Sequence, residues 1–280
     1  DMISYVGFKN LLLAAALFFI SPAYGLAIYA AAALLCIRRV APRRWLGVAV
    51  IATIALATVL TPWTIRNAGV FDRFIPLRSN MGLELALANH EAAAIGKPDD
   101  YTVFRERLDY IHPLQNGGGF ERMVRAGGEI AYADALGAEA KRWIAQNPAD
   151  FARLCVKHLR QFYFPPEWQW TIYSKSSRST TIKKWASWLI TAFGLVGIVF
   201  ALASRRGLYL YAACVALLPS LPYIITQPVP RYRYLVFAPL LFFAVAFADW
   251  CIQGIRRRVR RPPAPGTTDR PAASSPAAPW

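Results

Sequence analysis

The sequence predicts an all-α fold: a polytopic bundle of five or six transmembrane helices with a mainly helical extracytoplasmic segment. Three observations lead there. Apolar runs of about 20 residues, the length of a bilayer-crossing helix, recur in a chain that is 56% hydrophobic and holds 9 Trp and 13 Tyr. Short arginine clusters abut those runs. A long polar stretch, residues 64–184, separates two groups of runs and carries helical spacing of its own.

The net charge of +16 is unevenly spread. Residues 64–184 hold 17 Lys/Arg and 13 Asp/Glu, and the remainder holds 15 against 3. The excess sits where apolar runs end, which is the positive-inside pattern of a membrane protein rather than the basic stripe of a nucleic-acid binder. Membrane lipids are therefore expected partners and nucleic acid is not. Cys36, Cys214 and Cys251 fall in apolar runs and Cys155 in the polar stretch. Without CxxC or zinc spacing they read as small packing residues.

Taken in order, residues 1–63 hold the first membrane helices and a cytoplasmic arginine loop. Asp1 is followed by no basic n-region or cleavage site, so no signal peptide is visible, and an N-terminal portion preceding Asp1 is expected. Met2 to Ile37 is apolar apart from Lys9, Asn10 and a Ser21-Pro22 break. It is either one long helix kinked at Pro22 or a hairpin turning near Ser21–Gly25; at ~1.5 Å per residue, two spans of ~27 Å fit. Arg38, Arg39, Arg43 and Arg44 form the cytoplasmic loop, and Trp45 to Trp63 spans outward. After 64–184, residues 185–255 hold three more membrane helices: Trp185–Ala203 with Trp185 and Trp188 as interfacial anchors, Leu208–Ile225, and Tyr234–Ile252. Arg205-Arg206 marks a cytoplasmic turn. Residues 256–280 make a cytoplasmic tail, first basic, then Pro/Ala/Ser-rich and disordered from Pro262.

Within the polar segment, Glu129 to Gln146 reads as a helix with Ile130, Ala133, Leu136 and Ala140 on one side. Asn147 is expected to cap the next helix, with Pro148 at its first position and Asp150 in its first turn. That helix carries a stripe of Phe151, Leu154, Cys155, His158, Leu159 and Phe162, with Arg153, Lys157 and Arg160 off it. It either lies on the membrane or packs on the spans. The aromatic stretch Phe162–Trp170 suits sugar faces or the membrane interface. Asn116–Gly119 reads as a flexible loop that lacks the residues of a nucleotide site.

The chemistry gathers in the run Leu60–His90. Pro62 is expected to end or kink the preceding helix, and Trp63 suits the headgroup level. Arg66, Arg73 and Arg78 follow, interleaved with Asn67, Asn80, Glu84 and Asn89. Arginine forks bind phosphate oxygens, while Asn and Glu suit hydroxyl-rich partners. The inventory points to a phosphate-plus-sugar ligand at a membrane surface.

Pro62-Trp63-Thr64-Ile65-Arg66-Asn67, followed by Phe74-Ile75-Pro76-Leu77-Arg78-Ser79-Asn80, Gly82, Glu84-Leu85 and Asn89, resembles the bacterial membrane glycosyltransferases of the GT-C superfamily. These are relatives of the protein O-mannosyltransferases and the aminoarabinose transferase of lipid A. A second point of resemblance is Arg231-Tyr232-Arg233-Tyr234, opening the last apolar run, and the order of elements from about Gly7 to Trp250 also matches. Ala88 stands where the family often has Gly, and His90 where many members have a second Asn.

The resemblance implies sugar transfer from a polyprenyl-phosphate donor to an extracytoplasmic glycan, glycolipid or protein acceptor. The implied location is the bacterial inner membrane, with residues 64–184 outside and no cofactor. On that reading Arg231 and Arg233, with Arg66 or Arg78, hold the donor phosphate, and Asn67, Asn80 and Asn89 complete the donor site. The family's key acid lies in a first external loop, and no such loop precedes Met2, so the chain is expected to lack the catalytic loop and to be inactive alone; Glu84 is the best local acid, with a structural salt bridge to Arg78 as its other reading. His90, His112 and His158 have no metal-ligand spacing, and no dedicated metal site is expected. A non-enzymatic membrane scaffold or assembly protein, or a lipid or oligosaccharide transporter, is the alternative. Transporters tend to put ionisable groups at mid-membrane, whereas these runs lack acids until Asp249.

Overall fold

The computed structural model describes residues 2–172, 177–204 and 207–259, with side chains from 9 to 256. All regular structure among these residues is helical. The first two helices, α1 (Met2–Ile20) and α2 (Pro22–Arg39), meet at an extended Ser21, where Pro22 starts α2 without an N–H to satisfy. The Phe18 ring lies edge-on to Tyr29 at 6.1 Å, although residues 18 and 29 of one continuous helix would stand ~16 Å apart along its axis. Of the two readings of this stretch, the hairpin is the one the chain adopts. Gly25 lets the arms close: an added Cβ would lie 2.3 Å from the Phe18 Cα.

The next helix, α3 (Trp45–Phe71), runs through Pro62 for 27 residues, so of the two expectations, an end or a kink at Pro62, the end does not occur. A proline inside a membrane helix forfeits a backbone hydrogen bond that neighbouring groups can offset. The helix reaches ~40 Å, longer than a hydrocarbon layer of ~30 Å.

Seven helices make a polar head: α4 (Met81–Ala88), α5 (Glu91–Ile95), α6 (Asp100–Ile111), α7 (Gly119–Arg125), α8 (Glu129–Gln146), α9 (Pro148–Tyr163) and α10 (Glu167–Thr171). Leu83, Leu87, Phe104, Ile111, Tyr132 and Leu136 form its core, with Trp168 packed against them. Trp168 is thus part of the head rather than a residue at the membrane interface. α4 lies directly on α8, where a Cβ on Gly82 would meet the Ala133 carbonyl at 1.9 Å. The segment Asn116–Gly119 is a packed turn rather than a flexible loop. Gly117 and Gly119 press against the Asp109 and His112 carbonyls, and the Arg122 guanidinium donates to the Tyr110 and Gly117 carbonyls. Asn147 caps the end of α8, its Nδ2 donating to the Trp143 carbonyl at 2.9 Å, and makes no side-chain cap for α9.

The chain returns through α11 (Arg178–Ala203), α12 (Gly207–Leu217) and α13 (Leu221–Ile225). A 3-10 turn, Pro230–Arg233, then leads into α14 (Tyr234–Val259). α11 and α14 run parallel, and the small residues Ser187, Thr191, Gly194, Gly197 and Ala201 make one buried ridge of α11. Close backbone approach over such a ridge is how helices associate in lipid, where apolar surface alone supplies no driving force. A Cβ would lie 2.6 Å from the Leu240 carbonyl at Gly194 and 2.2 Å from that of Phe243 at Gly197.

Four helices are long and apolar enough to cross a membrane, within 42–71, 178–203, 207–225 and 230–256, and Lys9–Ile20 is a shorter apolar helix. Arg38 approaches Gly207, and Ser204, Tyr209 and Gln253 line one crevice, so the ends of α2, α11 and α14 gather with the start of α12. The head gathers at the opposite end. The expected basic turn Arg205-Arg206, the side chains of Arg257 and Arg258, and everything from Arg260 through the tail lie outside the described residues.

Gly197→Val is expected to lower the thermal midpoint in detergent through an overpacking penalty of about 1–3 kcal/mol. Gly69→Ala, where nothing lies within 4 Å of an added Cβ, is expected to leave the midpoint unchanged or raise it.

Candidate functional site

Between α13 and α14 the chain loses regular structure for four residues, Thr226 to Val229, yet Thr226, Pro228 and Val229 are buried. Buried carbonyls need donors, and the head supplies them. Asn89 at the end of α4 donates to the Ile225 carbonyl at 2.9 Å. His158 of α9 pairs with the Ile224 carbonyl at 3.0 Å and Gln169 of α10 donates to that of Pro228 at 3.0 Å. Gln227 donates in turn to Gln161 at 3.1 Å. The rings of Phe162, Tyr223 and Tyr232 stack in sequence, with centroids 5.6 and 4.3 Å apart. α9 therefore packs on the bundle, with Leu154, His158 and Phe162 of its stripe buried and Leu159 exposed. Two of the basic residues off the stripe find acids: Arg153 pairs with Asp150, and Lys157 with Asp100 at 2.5 Å.

The N-terminal motif does related work. From the last turns of α3, the Trp63 indole donates to the Leu77 carbonyl at 3.1 Å, and Asn67 Nδ2 donates to that of Ile75 at 2.8 Å. The Asn67 Oδ1 accepts from Arg66 at 3.0 Å, whose guanidinium sits over the Trp63 ring at 5.2 Å. The loop after α3 is thereby folded back, with Arg78 and Asn80 at the entrance to α4. A cavity of about 350 Å³ lies here, lined by Trp63, Arg66, Asn67, Arg78, Asn80 and Glu129.

Glu84, on the first turn of α4, accepts from Asn80 Nδ2 at 3.3 Å. Burial raises its pKa above the ordinary carboxylate value, while the Arg231 and Arg78 guanidiniums pull it back. Arg231 also acts on His112, lowering its pKa together with burial. Residues from both ends of the chain thus converge: Arg78, Asn80 and Glu84 from the first motif and Arg231 from the last, with His112 from the head beside them. Nothing in the sequence marked His112, a single histidine after α6 with no partner at any motif spacing. Arg66 and Asn67 line the adjoining wall.

Two candidate residues sit elsewhere. Arg233 is 4% exposed and turned into the bundle, donating to Ser187 Oγ and, at 2.6 Å, to Thr191 Oγ1. Asn89 is 2% exposed at the far end of α4, about 13 Å along the axis from Asn80 at ~1.5 Å per residue. There it borders a second cavity with His90 and Trp143.

Comparisons with protein-family models, with curated proteins and with solved structures find no match to this chain. Fold and site define it only as far as a protein that is all-helical among the described residues, with four apolar helices long enough to cross a membrane and arginines beside a carboxylate at one end.

Burial lowers the pKa of His90 and His158 to about 4. The unfolded chain binds protons near pH 6.5 that the native one refuses, so stability is full above pH 6.5 and lost as pH falls toward 4. The thermal midpoint is expected to drop over that window, and His158→Gln to flatten the drop. Trp63→Phe, which removes the bond to Leu77, is expected to speed amide exchange across residues 72–79 selectively.

Proposed function

We propose that this protein transfers a sugar from a polyprenyl-phosphate donor to a glycan, glycolipid or protein acceptor on the outer side of a bacterial inner membrane. The observation that carries the reading is that Arg231 and Arg78, from opposite ends of the chain, both act electrostatically on the Glu84 carboxyl. In this proposal α1 and α2 cross as a pair, giving six spans. Arg38, Arg39, Arg43, Arg44 and Arg256 then lie in the cytoplasm and the head outside, in keeping with the positive-inside rule. Arginines on the outer face run against that rule and call for an anionic ligand.

Transfer breaks the bond between the sugar's anomeric carbon and a phosphate oxygen, and the phosphate leaves with added negative charge. Arg231 and Arg78, joined by Arg66, neutralise it, as preorganised cations do for a leaving phosphate. Trp63, Asn67 and Asn80 line the wall where the sugar ring lies. The acceptor hydroxyl attacks and gives up its proton, and Glu84 is the group to take it. A raised pKa suits that role, because burial that disfavours the carboxylate makes it a stronger base. Arg233 is assigned a positioning part: its hold on Ser187 and Thr191 fixes the 3-10 turn that presents Arg231.

Membranes containing the intact enzyme, a radiolabelled polyprenyl-phosphate sugar and an envelope acceptor fraction provide the assay. Arg231→Ala and Arg78→Ala are each expected to lower transfer by about 10²–10³-fold, with Arg231→Lys retaining part of it. The wild-type rate should rise with pH as Glu84 deprotonates, with a midpoint above the ordinary 4.5, and Glu84→Gln should remove that limb. Wild-type turnover by Arg231→Ala would overturn the proposal.

A further inference from the structure

The end of the bundle away from the head holds a crevice of about 700 Å³ between α11, α12 and α14. Ser204, Tyr209, Asp249 and Gln253 line it, together with the rings of Phe200, Phe247 and Trp250. Those rings pack on one another, the Phe200 centroid 5.1 Å from that of Phe247 and 4.8 Å from that of Trp250. A second opening, an apolar groove of about 550 Å³, follows the outward face of α14 past Ala238, Leu241, Phe242 and Val245. Ala246 and Asp249 line both openings, so groove and crevice share that edge of the helix. Ala238 to Asp249 covers ~16 Å of helix axis, about one leaflet of a ~30 Å hydrocarbon layer.

Asp249 is the residue that calls for a ligand. It is exposed on a helix apolar enough to cross a membrane, where a carboxylate is costly and marks function. It makes no ion pair with any described residue, and its described bond is the one Gln253 Nε2 donates to Oδ2 at 2.7 Å. Ser204 spends its hydroxyl proton on the Ala201 carbonyl at 2.6 Å, which leaves its oxygen to accept. Among the described residues no basic side chain lines either opening, so neither suits an anion. Nor do those residues gather the further acids or histidines that a metal ion would need. A carboxylate and a hydroxyl oxygen, reached by an apolar groove of leaflet depth, fit a primary ammonium carried by an acyl chain. The ammonium brings a positive charge and three donors. The Arg38 guanidinium, 3.5 Å from a Cβ added to Gly207 at the start of α12, places a cation for the phosphate at the same end.

We propose that crevice and groove together bind one aminophospholipid, its ammonium on Asp249 and an acyl chain along α14. The site requires that these helices lie in a membrane. It does not require sugar transfer, and it lies at the far end of the bundle from the arginine cleft.

Native mass spectrometry of the full chain, released from nanodiscs, tests the proposal. The nanodiscs hold dioleoyl phosphatidylethanolamine, phosphatidylcholine and phosphatidylglycerol in equal parts. The wild type should retain one phosphatidylethanolamine about fivefold more often than either other lipid, roughly what one exposed ion pair is worth. Asp249→Asn should abolish that preference, and Asp249→Glu should keep part of it. Val245→Trp, which fills the groove from an exposed position, should strip the retained lipid. Both sites are exposed, so the variants should keep the wild-type melting profile. Arg231→Ala should leave the preference unchanged even if that variant abolishes transfer, so the two readings fail separately. Equal retention of the three lipids, or a preference for phosphatidylglycerol, would overturn the proposal. So would undiminished retention in Asp249→Asn or Val245→Trp, or a lipid-free dimer, which would assign the groove to a second copy.

Discussion

The structure depends on how four uncoiled residues are accommodated. Thr226 to Val229 interrupt the helical run at the end of the bundle that meets the head, and the backbone groups around them cannot pair within a helix. Asn89, His158 and Gln169 satisfy the carbonyls of Ile225, Ile224 and Pro228. Those three side chains come from α4, α9 and α10, so one short irregular segment fixes most of the head against the bundle. An unmet buried carbonyl would cost roughly 1–3 kcal/mol, which makes the register of these helices mutually dependent. Burial keeps His158 neutral against that pairing: a carbonyl only accepts, so Nδ1 carries the proton and the bond favours the charged ring, but desolvation outweighs it.

The same segment delivers two arginines to different environments. Arg231 emerges at the surface, within the field of Glu84 and His112. Two residues on, Arg233 turns inward and is held by hydroxyls alone among the described residues, its Nε without a partner. A buried guanidinium without a carboxylate contributes little net stability. What it supplies is position, since it ties the start of α14 to the ridge of α11. An alternation of Arg-Tyr-Arg over a 3-10 turn separates the two guanidiniums, while Tyr232 between them continues the aromatic stack onto Tyr223.

The short helix α4 connects the two cavities. Asn80 and Glu84 serve the arginine cleft at one end, and Asn89 and His90 border the second cavity at the other. Its contact with α8 through Gly82 is close enough to exclude any side chain there, so the two ends cannot shift independently. The motif that looked like a single ligand set in the sequence is divided by this rigid element between the arginine cleft and a second cavity, with Trp63 and Asn67 holding the loop after α3.

The sequence by itself determined the helical class, the apolar runs and the bounds of Glu129–Gln146. Each of these is a local property: hydropathy over a window, a 3.6-residue period, or residue types at short spacing. Hairpin against kinked helix at Ser21, the passage of α3 through Pro62, and α9 on the bundle rather than on lipid were left to the tertiary structure. So was the separation of Arg231 from Arg233. The physical reason is that backbone carbonyls carry no side-chain identity. Nothing in the letters at Ile224, Ile225 or Pro228 says that Asn89, His158 and Gln169 will meet them, so only the folded chain could decide which polar residues build a site and which hold it in place.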